Sequence, residues 1–116
     1  MDINQIKQQL RNFAEARDWD QFHSPKNLAS AISVEAAELL EIFQWLTEES
    51  SRTLDANTKQ KVEQEIADVF LYLIRLADKL DIDVLAAATR KIDLNNAKYP
   101  VDFSKGNAKK YTEFKD

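Results

Sequence analysis

Hydrophobic residues recur along this 116-residue chain at intervals of three and four, the period of a helix that buries one side. Ile3, Ile6, Leu10, Phe13 and Ala14 form the first such stripe and predict a helix over Ile3–Arg17. The pattern breaks across Asp18–Asn27 and resumes at Ser24-Pro25, which reads as a serine N-cap with proline in the first helical position. Leu28, Ile32, Leu39, Ile42 and Leu46 carry the second stripe, so the second helix is predicted to run to about Leu46. Thr47–Asn57 is polar and reads as a connector. A third helix is predicted from Ala56–Thr58 to about Asp81, with Val62, Ile66, Val69, Leu73, Leu76 and Leu80 on its inner side. Its middle, Val69–Ala77, is apolar nearly all round, which demands cover on every face and predicts contacts between subunits. After Asp81-Ile82-Asp83, with either aspartate a candidate N-cap, a fourth helix spans roughly Val84–Lys98 and ends at Tyr99-Pro100. Val101–Asp116 shows neither helical nor strand period, so a non-helical tail is expected from about residue 100, its Phe103, Tyr111 and Phe114 arguing that it packs somewhere. The pattern as a whole predicts an all-α, four-helix bundle forming one domain over residues 1–116.

Two of these stripes contain acids. Glu35 falls in the middle of the second stripe with Glu38 near its edge, and Glu65 sits within the third with Asp68 one turn on. Residues three apart are neighbours on a helix surface, and a carboxylate in an apolar stripe is costly unless something pairs with it. Three readings compete for these pairs. Glutamate is common in helices, so each pair alone can be an ordinary solvated surface. A di-iron carboxylate bundle uses Glu-x-x-His pairs, whereas here Asp68 takes the fourth place and the single histidine, His23, lies in a loop. A magnesium site of Glu35, Glu38, Glu65 and Asp68 suits an all-oxygen donor set, and magnesium brings phosphate-bearing substrates with it.

Composition narrows the chemistry further. One glycine and two prolines leave few turns for a sheet, and a chain whose only glycine is Gly106 cannot build a glycine-rich phosphate cradle. Phosphates would have to be met by metal and by side chains such as Lys91, Asn95, Lys98 and Lys110, although a row like Lys91, Asn95, Lys98 is equally the solvated face of a helix. The absence of cysteine excludes disulfides and thiolate zinc sites. A net charge of −4 argues against nucleic acid polymers or an anionic membrane as the main partner. The first ten residues show no signal-peptide core, and the longest apolar run stops at Arg75, too short to span a bilayer, so a cytoplasmic location is expected. The Asp18–Asn27 loop carries Trp19, Phe22 and His23, and Trp45 lies near the end of the second helix. These aromatic residues are either a lid and core filler or walls that stack on a nucleobase.

Glu35-Ala-Ala-Glu38 and Glu65-Ile-Ala-Asp68 match the hallmark of the MazG-like all-α nucleoside triphosphate pyrophosphohydrolases, and the chain resembles the dCTP pyrophosphatase branch of that family. The similarity extends over Arg17–His23, Pro25–Leu28, Glu38–Trp45, Lys91–Asn95, Tyr99–Val101 and Lys110–Glu113. It implies house-cleaning hydrolysis of a deoxynucleoside triphosphate, dCTP or a modified dCTP, to monophosphate and pyrophosphate on a homotetrameric scaffold built as a dimer of dimers. It implies Glu35, Glu38, Glu65 and Asp68 as Mg2+ ligands and catalytic centre. Trp19, His23, Trp45 and Tyr72 would line the base and sugar pocket, and Lys91, Asn95, Lys98 and Tyr99 would meet phosphates or sugar. Val34 stands where many MazG-like relatives carry a further glutamate, and Ala37 where the dCTP branch often has glycine. The alternatives are a pyrophosphohydrolase for dUTP or non-standard purine nucleotides, and a non-enzymatic helical interaction module with acidic grooves.

Overall fold

The first helix, α1 (Ile3–Ala16), starts where Asp2 and Gln5 close a reciprocal capping box. Asp2 Oδ1 accepts from the Gln5 amide at 2.8 Å, and Gln5 Oε1 accepts from the Asp2 amide at 2.7 Å. These bonds satisfy two of the backbone donors that a helix start leaves open. The computed structural model describes residues 1–106; among these every regular element is helical. A 3-10 turn (Asp20–Phe22) follows, then α2 (Pro25–Phe43), α3 (Glu48–Ser51), α4 (Ala56–Lys79), α5 (Val84–Lys98) and α6 (Val101–Ser104). The four long helices lie where the hydrophobic periods place them. Ser24 caps α2 as its sequence indicates, accepting from the Asn27 amide at 3.1 Å with Pro25 in the first turn.

Three local expectations are corrected. α2 ends at Phe43 rather than Leu46, so Trp45 lies beyond the helix. The polar connector contains α3, nucleated by a Thr47 cap that accepts from the Ser50 amide at 3.0 Å. Residues 101–104, expected to be non-helical, form the one-turn helix α6 after Pro100, a residue whose fixed φ suits a helix entry. Lys110, Tyr111 and Phe114 lie outside the described residues.

Helices α1 and α4 stop in the same unusual way. Past α1, Asp18 adopts a φ of 53°, the Trp19 amide reaches back to the Ala14 carbonyl at 2.8 Å, and the Asp18 amide bonds Glu15. Past α4, Asp81 adopts a φ of 54°, the Ile82 amide bonds the Ala77 carbonyl at 2.8 Å, and the Asp81 amide bonds Asp78. Both are Schellman terminations, in which a left-handed residue turns the chain and covers the last open carbonyls. Glycine normally takes that position, and aspartate is among the few alternatives. Of the two candidate caps in this link, Asp83 opens α5 by accepting from the Ala86 amide at 3.0 Å, while Asp81 ends α4.

Contacts divide the chain into two units, Met1–Ile82 and a second beginning at Asp83. In the first, α4 packs along α2 and, over a shorter stretch, against α1. Ala14, Leu28, Ile74 and Ala77 are its buried apolar residues, Leu28 and Ile74 being 1% exposed. Burying side chains of that size contributes about 1.5–3 kcal/mol each. The inner stripe of α4 is rotated from the expected one: Val62, Glu65, Val69, Tyr72 and Leu76 are half-buried, whereas Ile66, Leu73 and Leu80 are exposed. The second unit carries α5 and α6, with Asp83 and Pro100 as their caps. No helix of the described residues is long and apolar enough to cross a membrane.

Candidate functional site

The packing of α2 on α4 brings Glu35, Glu38 and Glu65 together, with one carboxylate oxygen of each within 4.8 Å of the others. Glu35 and Glu65 are half-buried, and Oε2 of each is shielded from solvent without a hydrogen-bond partner. Two shielded, unsatisfied carboxylate oxygens facing a third carboxylate are expensive as a resting arrangement of the protein alone. Burial is the main force pushing Glu35 up to about 7, helped by Glu38 as a close carboxylate neighbour and by the charges of Asp68 and Glu65. Burial also raises Glu65, again reinforced by the charges of Glu38 and Asp68. A hard divalent cation fits this donor set: it takes oxygen ligands, satisfies the orphaned oxygens and removes the like-charge repulsion.

Asp68 stands one turn along α4 and is not a member of that three-residue cluster. It lines a cavity of about 570 Å3 together with Trp19, His23, Tyr72, Phe13 and Arg75. Three of the four residues assigned to a base and sugar pocket thus share one largely apolar cavity with the fourth acid. Trp19 is held there by an edge contact with Phe13, ring centroids 5.6 Å apart and planes at 72°, with the Arg17 guanidinium stacked on the other ring's π-system 3.7 Å from the Phe13 centroid. Trp45 lines neither this cavity nor the next and is 87% exposed. Lys91, Asn95, Lys98 and Tyr99 belong to the second unit, the first three on α5 and Tyr99 as its C-cap.

A second cavity, about 360 Å3, opens beside the acidic cluster and is lined by Glu38, Glu41, Ile42, Lys61, Gln64 and Glu65. Glu41 is exposed and contributes to this wall. Lys61, one turn before Glu65, escaped notice because an exposed lysine near a helix start carries no distinguishing spacing.

The polar network behind the 570 Å3 cavity was also invisible in the sequence. Arg75, set in the apolar run of α4, is 6% exposed. It donates from Nη2 to Asp20 at 2.7 Å and from Nε to Nδ1 of His23 at 3.2 Å, and lies 3.8 Å from Asp78. Lys79 also bonds Asp20, and Arg11 grips Asp78 in a two-pronged contact at 2.5 and 2.7 Å. The Lys79 hydrogen bond holds Asp20 below the ordinary carboxylate range, and the Arg11 bond does the same to Asp78. Burial, followed by the charges of Arg75 and Lys79, lowers His23 from its ordinary 6.5.

The fold is all-helical among the described residues, with paired acids on adjacent helices and an aromatic cavity beside them, and the MazG-like family model matches residues 30–114. The chain belongs to the MazG-like family. It is similar to dCTP pyrophosphatase 1 of Mus musculus, with 38% identity over 113 residues, and to dCTP pyrophosphatase 1 of Homo sapiens, with 35%. Each alignment covers 96% of this chain, which spans 66% of the length of those relatives. A solved pyrophosphatase from Archaeoglobus fulgidus is similar in structure, with a TM-score of 0.79 and 44% identity, covering 84% of this chain and 91% of that one.

Proposed function

We propose that this protein is a metal-dependent nucleoside triphosphate pyrophosphohydrolase that converts dCTP, or a closely related pyrimidine deoxynucleotide, to the monophosphate and pyrophosphate. The observation that carries this reading is the convergence of Glu35, Glu38 and Glu65, with two shielded oxygens lacking partners, next to an aromatic cavity entered by Asp68. The names of the relatives support the reaction class and the nucleotide. The four carboxylates would hold Mg2+, which when bound offsets the triphosphate charge and lowers the pKa of a water able to attack the α-phosphorus.

The chain's own residues divide the remaining work. Trp19 and Tyr72 offer flat and edge surfaces to a pyrimidine, and exclude water from it. His23 supplies a polar contact to base or sugar. A carboxylate of the cluster not fully engaged by cations takes the proton of the attacking water. Lys91, Asn95, Lys98 and Tyr99 are proposed to meet phosphates or sugar, and Trp45 to close the base pocket, in a homotetramer in which more than one chain completes each site. Removal of house-cleaning substrates from a cytoplasmic nucleotide pool is the corresponding role.

A panel of deoxynucleoside and nucleoside triphosphates incubated with Mg2+ tests the substrate assignment. dCTP is expected to give the highest kcat/KM. Faster turnover of dGTP or dATP would replace the pyrimidine reading with a purine one.

A further inference from the structure

Arg75 makes an unusual demand on its neighbours. The residue is 6% exposed, and a guanidinium offers N–H donors and no acceptor, so each of its hydrogen bonds runs outward from arginine. Asp20 takes Nη2 at 2.7 Å and Asp78 lies 3.8 Å from Nη1, which leaves Nε pointed at Nδ1 of His23, 3.2 Å away. Nδ1 must therefore accept, and a neutral imidazole that accepts at Nδ1 carries its proton on Nε2. His23 and Arg75 both line the 570 Å3 cavity, and Nε2 is the ring nitrogen that Arg75 does not engage.

We infer that Arg75 is a positioning residue that fixes the proton of His23 on Nε2, so that His23 meets the bound nucleoside as a hydrogen-bond donor to a carbonyl, ring-nitrogen or sugar-oxygen acceptor. The role of the donor rests on the nucleotide reading proposed above; the tautomer does not. Asp20 and Asp78 serve the same end by holding the guanidinium, Asp20 from the loop between α1 and α2 and Asp78 from one turn further along α4. Burial and the positive charges around the ring lower its affinity for a second proton, which disfavours the imidazolium.

The chain has one histidine, so its imidazole nitrogens can be observed without assignment by mutation. In 15N-labelled wild-type protein at about pH 7.5, long-range proton–nitrogen spectra are expected to show a protonated Nε2 and a bare Nδ1. Arg75→Lys keeps the charge beside Asp20 but removes the Nε donor, and is expected to give a mixture of tautomers. A wild-type ring protonated on Nδ1, or evenly mixed, overturns the inference whether or not the variant folds. The donor role is read from two substitutions: glutamine places an amide nitrogen near Nε2, asparagine near Nδ1. His23→Asn is expected to raise KM for dCTP roughly three- to tenfold and His23→Gln to raise it distinctly less. Equal defects in the two variants would overturn the donor role. Absence of turnover of any nucleotide by wild type would instead defeat the nucleotide reading, while the spectra would still decide the tautomer.

Discussion

At the scale of single residues, Glu35 concentrates the cost of the acidic cluster. Its folded-state affinity for protons is raised to about 7 from an ordinary 4.5, so the native state binds the extra proton through that window and the unfolded state does not. This contribution to stability is fully present below about pH 4.5 and is lost as the pH rises through about 7. His23, lowered from 6.5, works in the opposite direction in part of the same window, because its unfolded form is the one that gains a proton. The comparison with Glu35→Gln separates the two: without divalent metal, the Tm of the variant minus that of wild type is expected to grow from about pH 4.5 to about 7 and then level off. A flat difference would remove Glu35 as the strained group. With Mg2+ the same variant is expected to lose at least about a hundredfold in turnover, a loss in line with removing a group that holds a metal. Trp19→Ala is expected to raise KM for dCTP about tenfold, because stacking on an aromatic contributes roughly 1–3 kcal/mol per base; unchanged KM would make Trp19 a packing residue. Glu35 and Glu65 were legible because each interrupts an apolar period, and Glu38 because it lies one turn from Glu35 at the edge of the same stripe. Arg75 was not, because its partners Asp20 and His23 lie more than fifty residues away, with sequence separations of 55 and 52, and no local spacing encodes them.

At the scale of elements, the long helices follow from the three-and-four period and from their caps, Asp2, Ser24, Asp55 and Asp83. The stops were harder to read because the usual signal, glycine just past the helix, is absent at Asp18 and Asp81. Left-handed backbone costs most residues roughly 1–2 kcal/mol. Asp81→Gly is therefore expected to stabilise the protein by up to about 1 kcal/mol in chemical denaturation, with activity preserved, and a loss of stability would show that the Asp81 side chain contributes more than its backbone costs. The short helices α3 and α6 escaped the sequence pattern because a single turn of four residues has no period to display. The rotation of the α4 stripe was hidden for a different reason: Val69–Ala77 is apolar on so many faces that periodicity alone does not choose the inner one.

At the scale of the whole molecule, the same ambiguity has a physical consequence. Ile66, Phe70 and Leu73 are exposed apolar residues on α4, Leu80 is another at its C-cap, and Leu40 is 65% exposed on α2. Apolar surface of this kind calls for a partner. Light scattering at micromolar concentration is expected to give a homo-oligomer, most simply a tetramer, and Leu73→Glu to reduce its mass; a monomeric wild type would contradict the proposed assembly. The claim on which the functional account turns is the reaction itself, and product analysis tests it most directly. Incubated with dCTP and Mg2+, the protein is expected to yield dCMP and pyrophosphate in equal amounts, and to yield neither once the metal is chelated. Release of dCDP and inorganic phosphate, or turnover indifferent to chelation, would contradict it.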